Sequence, residues 1–301
     1  MSGKKYWEGI KTGAPGNSDI LIMGVPFDDA VSGARGAAEA PGRLRELSKS
    51  TTPLSEEGVD LRNLVIYDRD NVQYNNDWTG YYMEVEKEAL SLLQTVGLLL
   101  FLGGDHSVTI PLAGAFARYY YPKPVGMVHF DAHCDLMDIY QGEKWSHACP
   151  QRRFLEQDNV SPENMFLVGI REFELEEVEF IEDNPALGLV TARRYYRKGL
   201  EAVLDEMFSR LKNLEAVYLS IDIDILDPAY APGTGTPQAG GISTRELIEL
   251  VRGTMAGLPV KAIDLVEVAP PIDISDITSR AALKVIYEIF ASVASSKEQN
   301  N

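Results

Sequence analysis

The apolar residues of this chain fall in short dense runs, separated by longer stretches in which they recur at helical intervals. Runs rich in aliphatic and β-branched residues occupy 19–25, 63–68, 97–103, 125–131, 165–170, 188–191, 216–222 and 261–268. Their near-continuous hydrophobicity is that of strands covered on both faces. Helical spacing is clearest at 81–96, 200–214 and 243–257, the last opened by a capping box of Ser243 and Glu246. Eight such strands alternating with helices predict an α/β chain, a three-layer αβα sandwich around a mostly parallel eight-stranded sheet. With no repeat, low-complexity tract or linker, residues 1–301 read as a single domain, ending in a short disordered polar tail from about 296. In open parallel sheets ligands bind beyond the carboxyl ends of the strands, and the unusual polar residues of this chain fall there.

Composition narrows the partners. The formal net charge is −17, which argues against nucleic acid, whose phosphates favour basic faces. An acidic excess suits cationic small molecules or metal ions, although it commonly serves solubility alone. Cys134 and Cys149 lie outside any Cys-x-x-Cys pattern; they give no disulfide framework and suit a reducing compartment. The N-terminal stretch lacks the apolar core of a signal peptide. The longest apolar run, at 96–104, is far shorter than the ~20 residues of a membrane span. The expectation is a cytoplasmic chain with neither nucleic acid nor membrane as partner.

Four clusters carry candidate chemistry. In FLGGDHS, two glycines permit a tight turn before His106, at a helix start. In HFDAHCD, Asp131, His133 and Asp135 are spaced by two residues, which in extended backbone places them on one face. In LSIDIDILDP, Asp222 and Asp224 share a face by the same period, and in LVEVAPP Glu267 emerges at the end of the last strand. Carboxylates packed so closely repel one another unless a cation lies between them. Two histidines and four aspartates exceed what one ion can use, and imidazole with carboxylate disfavours structural zinc, which prefers cysteine. Two bridged divalent ions absorb the set; ligand hardness places manganese first, with nickel, iron, cobalt or zinc open. Such a pair lowers the pKa of a bridging water, giving a hydrolase its nucleophile. His147, on the loop after Asp135, is the candidate proton carrier, with a surface-loop histidine as its bland reading. His129, deeper in its strand, reads as support for the ligands.

Taken together, GGDHS, FDAHCD, SIDIDILDPAYAPGTGTPQAGG and VEVAPP resemble, in order and spacing, the signatures of the ureohydrolases, the arginase and agmatinase family. The resemblance covers nearly the whole chain and implies a binuclear manganese site on an eight-stranded parallel sheet. It assigns His106, Asp131, Asp135 and Asp222 to one ion and Asp131, His133, Asp222 and Asp224 to the other. It further implies that His147 is a mobile proton-transfer group and that Glu267 grips a substrate guanidinium, with Thr236 beside it. The implied products are urea and an amine, and the implied assembly is a homo-oligomer, a trimer or hexamer.

Met137 stands where arginases carry an asparagine for the amino-acid head group, which makes arginine the less expected substrate. The loop at 136–148 resembles that of bacterial agmatinases, and its Asp138 and Glu143 could favour the free ammonium of agmatine. Two departures stand out: Ala40-Pro41 where the family has Gly-Pro, and EFELEE at 172–177, which bears on the outer pocket. Agmatine hydrolysis to putrescine and urea is the leading expectation. Alternatives are a ureohydrolase acting on guanidinobutyrate, guanidinopropionate, guanidine or arginine. More remote are a metal-dependent deacylase and a non-catalytic polyamine-binding protein retaining the fold. The Asp-x-Asp pair beside Glu267 favours guanidine over amide, and a silent copy gains nothing from so many adjacent carboxylates.

Overall fold

The computed structural model describes residues 6–74 and 77–299. Among these, nine strands form one sheet: β1 (Lys11–Thr12), β2 (Ile20–Gly24), β3 (Val65–Asn71), β4 (Leu98–Leu102), β5 (Gly126–Phe130), β6 (Met165–Ile170), β7 (Gly188–Thr191), β8 (Val217–Asp222) and β9 (Val260–Val266). Every pairing is parallel. Each predicted strand has a counterpart. The expected count of eight is corrected by β1, two exposed residues paired with the edge of β3, which carry no apolar pattern to announce them.

Helices cover both faces. They are α1 (Ala40–Ser48), α2 (Trp78–Leu93), α3 (Thr109–Tyr120), α4 (Pro150–Leu155), α5 (Leu175–Asp183), α6 (Ala192–Lys198), α7 (Leu200–Leu211), α8 (Thr244–Gly257) and α9 (Ile277–Gln299). Successive residues of a strand serve opposite layers, as pleated backbone requires. Ile20 and Ile22 join one core with Leu44 of α1, Tyr195 of α6, Val203 of α7, Leu247 of α8 and Val285 of α9. Leu21 and Met23 join the other with Tyr81 of α2, Leu112 of α3 and Phe154 of α4, with Phe180 of α5 packed against it. The capping box of Ser243 and Glu246 opens α8, each side chain meeting the other's backbone N–H. The polar tail expected to be disordered from about 296 is helical as far as Gln299, continuing α9; Asn300 and Asn301 lie outside the described residues. Among the described residues no helix is long and apolar enough to cross a membrane.

The strand order β1-β3-β2-β4-β9-β8-β5-β6-β7 positions the site. β9 and β8, late in sequence, insert between β4 and β5. The register aligns Leu102 with Leu265, Ile221 with Leu265, and Phe130 with Ile221. Four neighbouring strands therefore end together, delivering His106, Glu267, Asp222 and Asp131 to one edge of the sheet. This crevice, where chain order reverses, is the ligand position the topology predicts.

Candidate metal centre and active site

His106 follows β4 through a turn that only glycine permits: a Cβ on Gly104 would lie 1.9 Å from the carbonyl oxygen of Phe27. The buried His106 ring presents Nδ1 to three carboxylates, 3.0 Å from Asp131 Oδ2, 2.9 Å from Asp135 Oδ2 and 3.1 Å from Asp222 Oδ2. His133 presents its Nδ1 to Asp131 Oδ1 at 3.3 Å and Asp224 Oδ2 at 3.0 Å. All six candidate ligands converge, and Asp131, fully buried, faces both histidines through its two oxygens.

The reason for the convergence differs from the expected one. β5 ends at Phe130, so residues 131–135 are a turn and not an extended run. Asp135 adopts a left-handed backbone, φ 55°. Asp222 closes β8 and its carboxylate accepts the N–H of Asp224, which sits in a short 3-10 turn over Ile223–Ile225. Glu267, at φ 62°, is likewise left-handed. Such backbone is costly in non-glycine residues and collects at functional sites.

The donor set fits metal ions. His106 Nδ1 and Asp131 Oδ2 are buried and have no hydrogen-bond partner, although they lie 3.0 Å apart. Atoms that converge without bonding one another are satisfied by a cation between them. Electrostatics agrees. Burial pushes the Asp222 and Asp224 carboxyls up, and neighbouring carboxylates push further; Asp135 reaches about 7 by the same causes. Burial would lower His106 and His133, yet the surrounding aspartates hold both well above the ordinary imidazole value. The aspartates thus favour positive charge at this centre, which divalent ions would supply.

His129 also lies near, its Nε2 3.2 Å from Asp131 Oδ2. Its Nδ1 takes a bond from the Gln151 amide at 2.9 Å, and Nε2 meets the carbonyl oxygen of His133 at 3.0 Å. Burial lowers its pKa to about 4, so the ring is neutral with the proton on Nε2, a donor and not a free lone pair.

Around this centre runs a pocket lined by His147, Tyr140, Thr236, Glu267 and the acidic residues Glu172, Glu174 and Glu177. Glu267 is buried and accepts the His106 N–H through Oε1 at 2.7 Å. Burial, reinforced by Asp105, holds its carboxyl well above the usual range. The Thr236 hydroxyl lies 3.5 Å from Asp224 Oδ2. His147 is placed against the segment after β2 (Ala30 and Ser32) and lines the pocket.

Of the two loop acids considered for an ammonium, Asp138 is taken by Arg153 at 2.6 Å, and Glu143 is exposed and outside the lining. The departure at 172–177 supplies the acidic wall instead.

Sequence reasoning passed over several supports. Asp264, buried in β9, accepts the hydroxyls of Thr109, Tyr218 and Ser220, and Ser220 in turn meets His106 Nε2 at 2.9 Å. A carboxylate inside an apolar parallel strand was the available signal. Arg171 binds the carbonyl oxygens of Gly169, Asp224, Ile225, Leu226 and Gln238, fastening the Asp224 turn to the pocket wall.

A chain with this sheet, this crevice and this histidine–aspartate cluster has the form of a binuclear hydrolase, and comparison with known proteins gives the family. Residues 18–291 match the model of the arginase family. The chain is 35% identical over 277 residues to an agmatinase of Bacillus anthracis, covering 90% of this chain and 91% of that one. It is 33% identical over 285 residues to a mitochondrial guanidino acid hydrolase of Homo sapiens, covering 93% and 80%. Its fold superposes on agmatine ureohydrolase of Thermoplasma volcanium with a TM-score of 0.88 at 26% identity, covering 100% of this chain and 98% of that one. The chain belongs to the arginase family of ureohydrolases.

Proposed function

We propose that this chain hydrolyses agmatine to urea and putrescine at a pair of manganese ions. His106, Asp131, Asp135 and Asp222 would hold one ion, and Asp131, His133, Asp222 and Asp224 the other, with Asp131 and Asp222 shared. Ions so held supply Lewis acidity and make a nearby water acidic enough to act as nucleophile near neutral pH. The chain's own residues do the rest. Glu267 has one oxygen bound to the His106 N–H, which leaves the other for a planar guanidinium. A cation opposite it offsets the burial that raises its pKa and restores the anion. His147 is kept neutral because burial lowers its pKa. With Nδ1 on the Ala30 carbonyl it turns Nε2 to the pocket side, where it takes a proton from the attacking water and passes it to the departing amine nitrogen.

The observation that carries the choice of agmatine is the charge of the pocket wall. Glu172, Glu174 and Glu177 line it, and no lysine or arginine stands among the lining residues. A substrate tail ending in ammonium is favoured there, and one ending in carboxylate is repelled. The Glu177 oxygens are spent on the backbone N–H groups of Leu136 and Glu174. Glu174 takes part in the capping box that opens α5, and Glu172 meets His133 Nε2 through one oxygen at 3.2 Å, which leaves the second Glu172 oxygen for a substrate ammonium.

The test is urea release by manganese-loaded protein from agmatine, 4-guanidinobutanoate, 3-guanidinopropanoate, guanidine and arginine. Agmatine is expected to lead the guanidino acids by at least about a hundred-fold in kcat/KM, the order of one unfavourable buried charge contact. A guanidino acid turned over faster than agmatine would sink the substrate assignment.

A further inference from the structure

Besides contacts with Ser146 and Tyr140, both ring nitrogens of His147 meet one short segment. Its Nδ1 lies 2.6 Å from the carbonyl oxygen of Ala30, and its Nε2 lies 3.0 Å from the Ser32 hydroxyl. A carbonyl oxygen can only accept, so Nδ1 carries the ring proton. In the neutral ring Nε2 is then an acceptor, and the serine hydroxyl donates to it.

The segment is itself anchored. The Ala30 N–H donates to Asp105 Oδ2 at 3.0 Å, and Asp105 is fully buried. The other Asp105 oxygen takes the Ser107 N–H and hydroxyl, and Tyr82 donates to that same hydroxyl. Trp145, two residues before His147, packs on Tyr82 with ring centroids 5.8 Å apart. Beyond Ser32 the backbone presses on the 235 loop: Ala34 N–H meets the Gly235 carbonyl, and a Cβ on Gly33 would lie 2.3 Å from that oxygen. Both ends of the segment are tied by hydrogen bonds.

We propose that Ser32 is a positioning residue for the reaction: its hydroxyl, in the pocket lining, occupies the Nε2 lone pair of His147 and yields it when the ring takes a proton, while Ala30, on a platform that Asp105 anchors, keeps the other ring proton on Nδ1. The inference rests on the reading of His147 as the proton carrier. A hydroxyl suits the task because it both donates and accepts. It donates to Nε2 while the ring is neutral. When the ring gains a second proton the hydroxyl turns and accepts, so the imidazolium keeps its aim until it delivers that proton. An alanine would leave Nε2 without its partner while Nδ1 stays tethered to Ala30, whereas a threonine would keep the latch.

The test is a double-mutant cycle on the manganese-loaded protein, with the most rapidly hydrolysed guanidine of the substrate panel. Ser32→Ala is expected to lower kcat about ten-fold with KM little changed, the scale of a misdirected general acid–base group. Ser32→Thr should restore most of that loss. In a His147→Ala background, Ser32→Ala should cost nothing further. Because the chain has four histidines, ring-15N labelling resolves each one. Before manganese is added, His147 should show its proton on Nδ1 in both proteins, and in Ser32→Ala the Nε2 resonance alone should shift as it loses the hydroxyl. An undiminished kcat in Ser32→Ala, an equal loss in both backgrounds, or a His147 ring protonated on Nε2 would overturn the latch alone. Full activity in His147→Ala would overturn both the latch and the role of His147.

Discussion

Asp131→Asn is expected to leave a folded protein that no longer keeps two metal ions and turns over more than about a thousand-fold more slowly. The magnitude is that of several kcal/mol of transition-state charge stabilisation withdrawn at once. Asp131 is singled out by geometry. It is fully buried, and its oxygens face His106 on one side and His133 on the other. Burial opposes ionisation, yet His129, His106 and His133 hold its carboxyl well below the usual range, unlike the raised Asp135, Asp222 and Asp224 around it. Of the four aspartates of the cluster it is the one whose carboxyl is held below the usual range. An amide at the same place sets an N–H donor against a cation position, while its size and shape are retained. Asp138→Asn is the control, since that carboxylate is half-exposed and paired with Arg153. Metal content and urea release measured on the same preparations decide the matter, and two ions with near-normal turnover in Asp131→Asn would contradict the assignment.

Glu267→Gln is expected to have the second largest effect, a fall of about a hundred- to a thousand-fold in kcat/KM with metal content unchanged. A charge-assisted pair of hydrogen bonds to guanidinium is worth about 1.5–3 kcal/mol per bond. Glutamine can keep the bond to the His106 N–H through its carbonyl oxygen, so the turn at Gly104 should survive. Its NH2 would then face the guanidinium, donor against donor. The split between parameters is informative: the loss should appear chiefly as a raised KM if the carboxylate binds ground state and transition state alike. Unaltered KM and kcat would remove Glu267 from the substrate site.

How far the chain announced all this depends on the residue. The candidate ligands were legible because carboxylates and imidazoles at the ends of apolar strands are anomalies, costly without a partner. Their local geometry was not legible. The two-residue spacing of Asp131, His133 and Asp135 looks like extended backbone in sequence, yet the strand stops at Phe130 and Asp135 turns left-handed. What gathers the motifs is the insertion of β9 and β8 between β4 and β5. Parallel strands of similar hydrophobicity give no sequence signal of their order. The edge strand Lys11–Thr12 escaped because both residues are exposed and polar. Asp138 misled because its partner, Arg153, sits on a separate element, the short helix α4. The run at 172–177 stood out in sequence as a departure, and its meaning came only with the pocket, which it walls with acid. Ser32 gave no signal, since a serine hydroxyl 115 positions from its histidine is silent until the fold brings them together.

The claim on which the rest stands is that this cluster is a cage for two ions. The most direct measurement is the manganese content of the protein after loading and exhaustive dialysis, counted per chain. The account predicts two ions per chain. A single retained ion, or none, would contradict it.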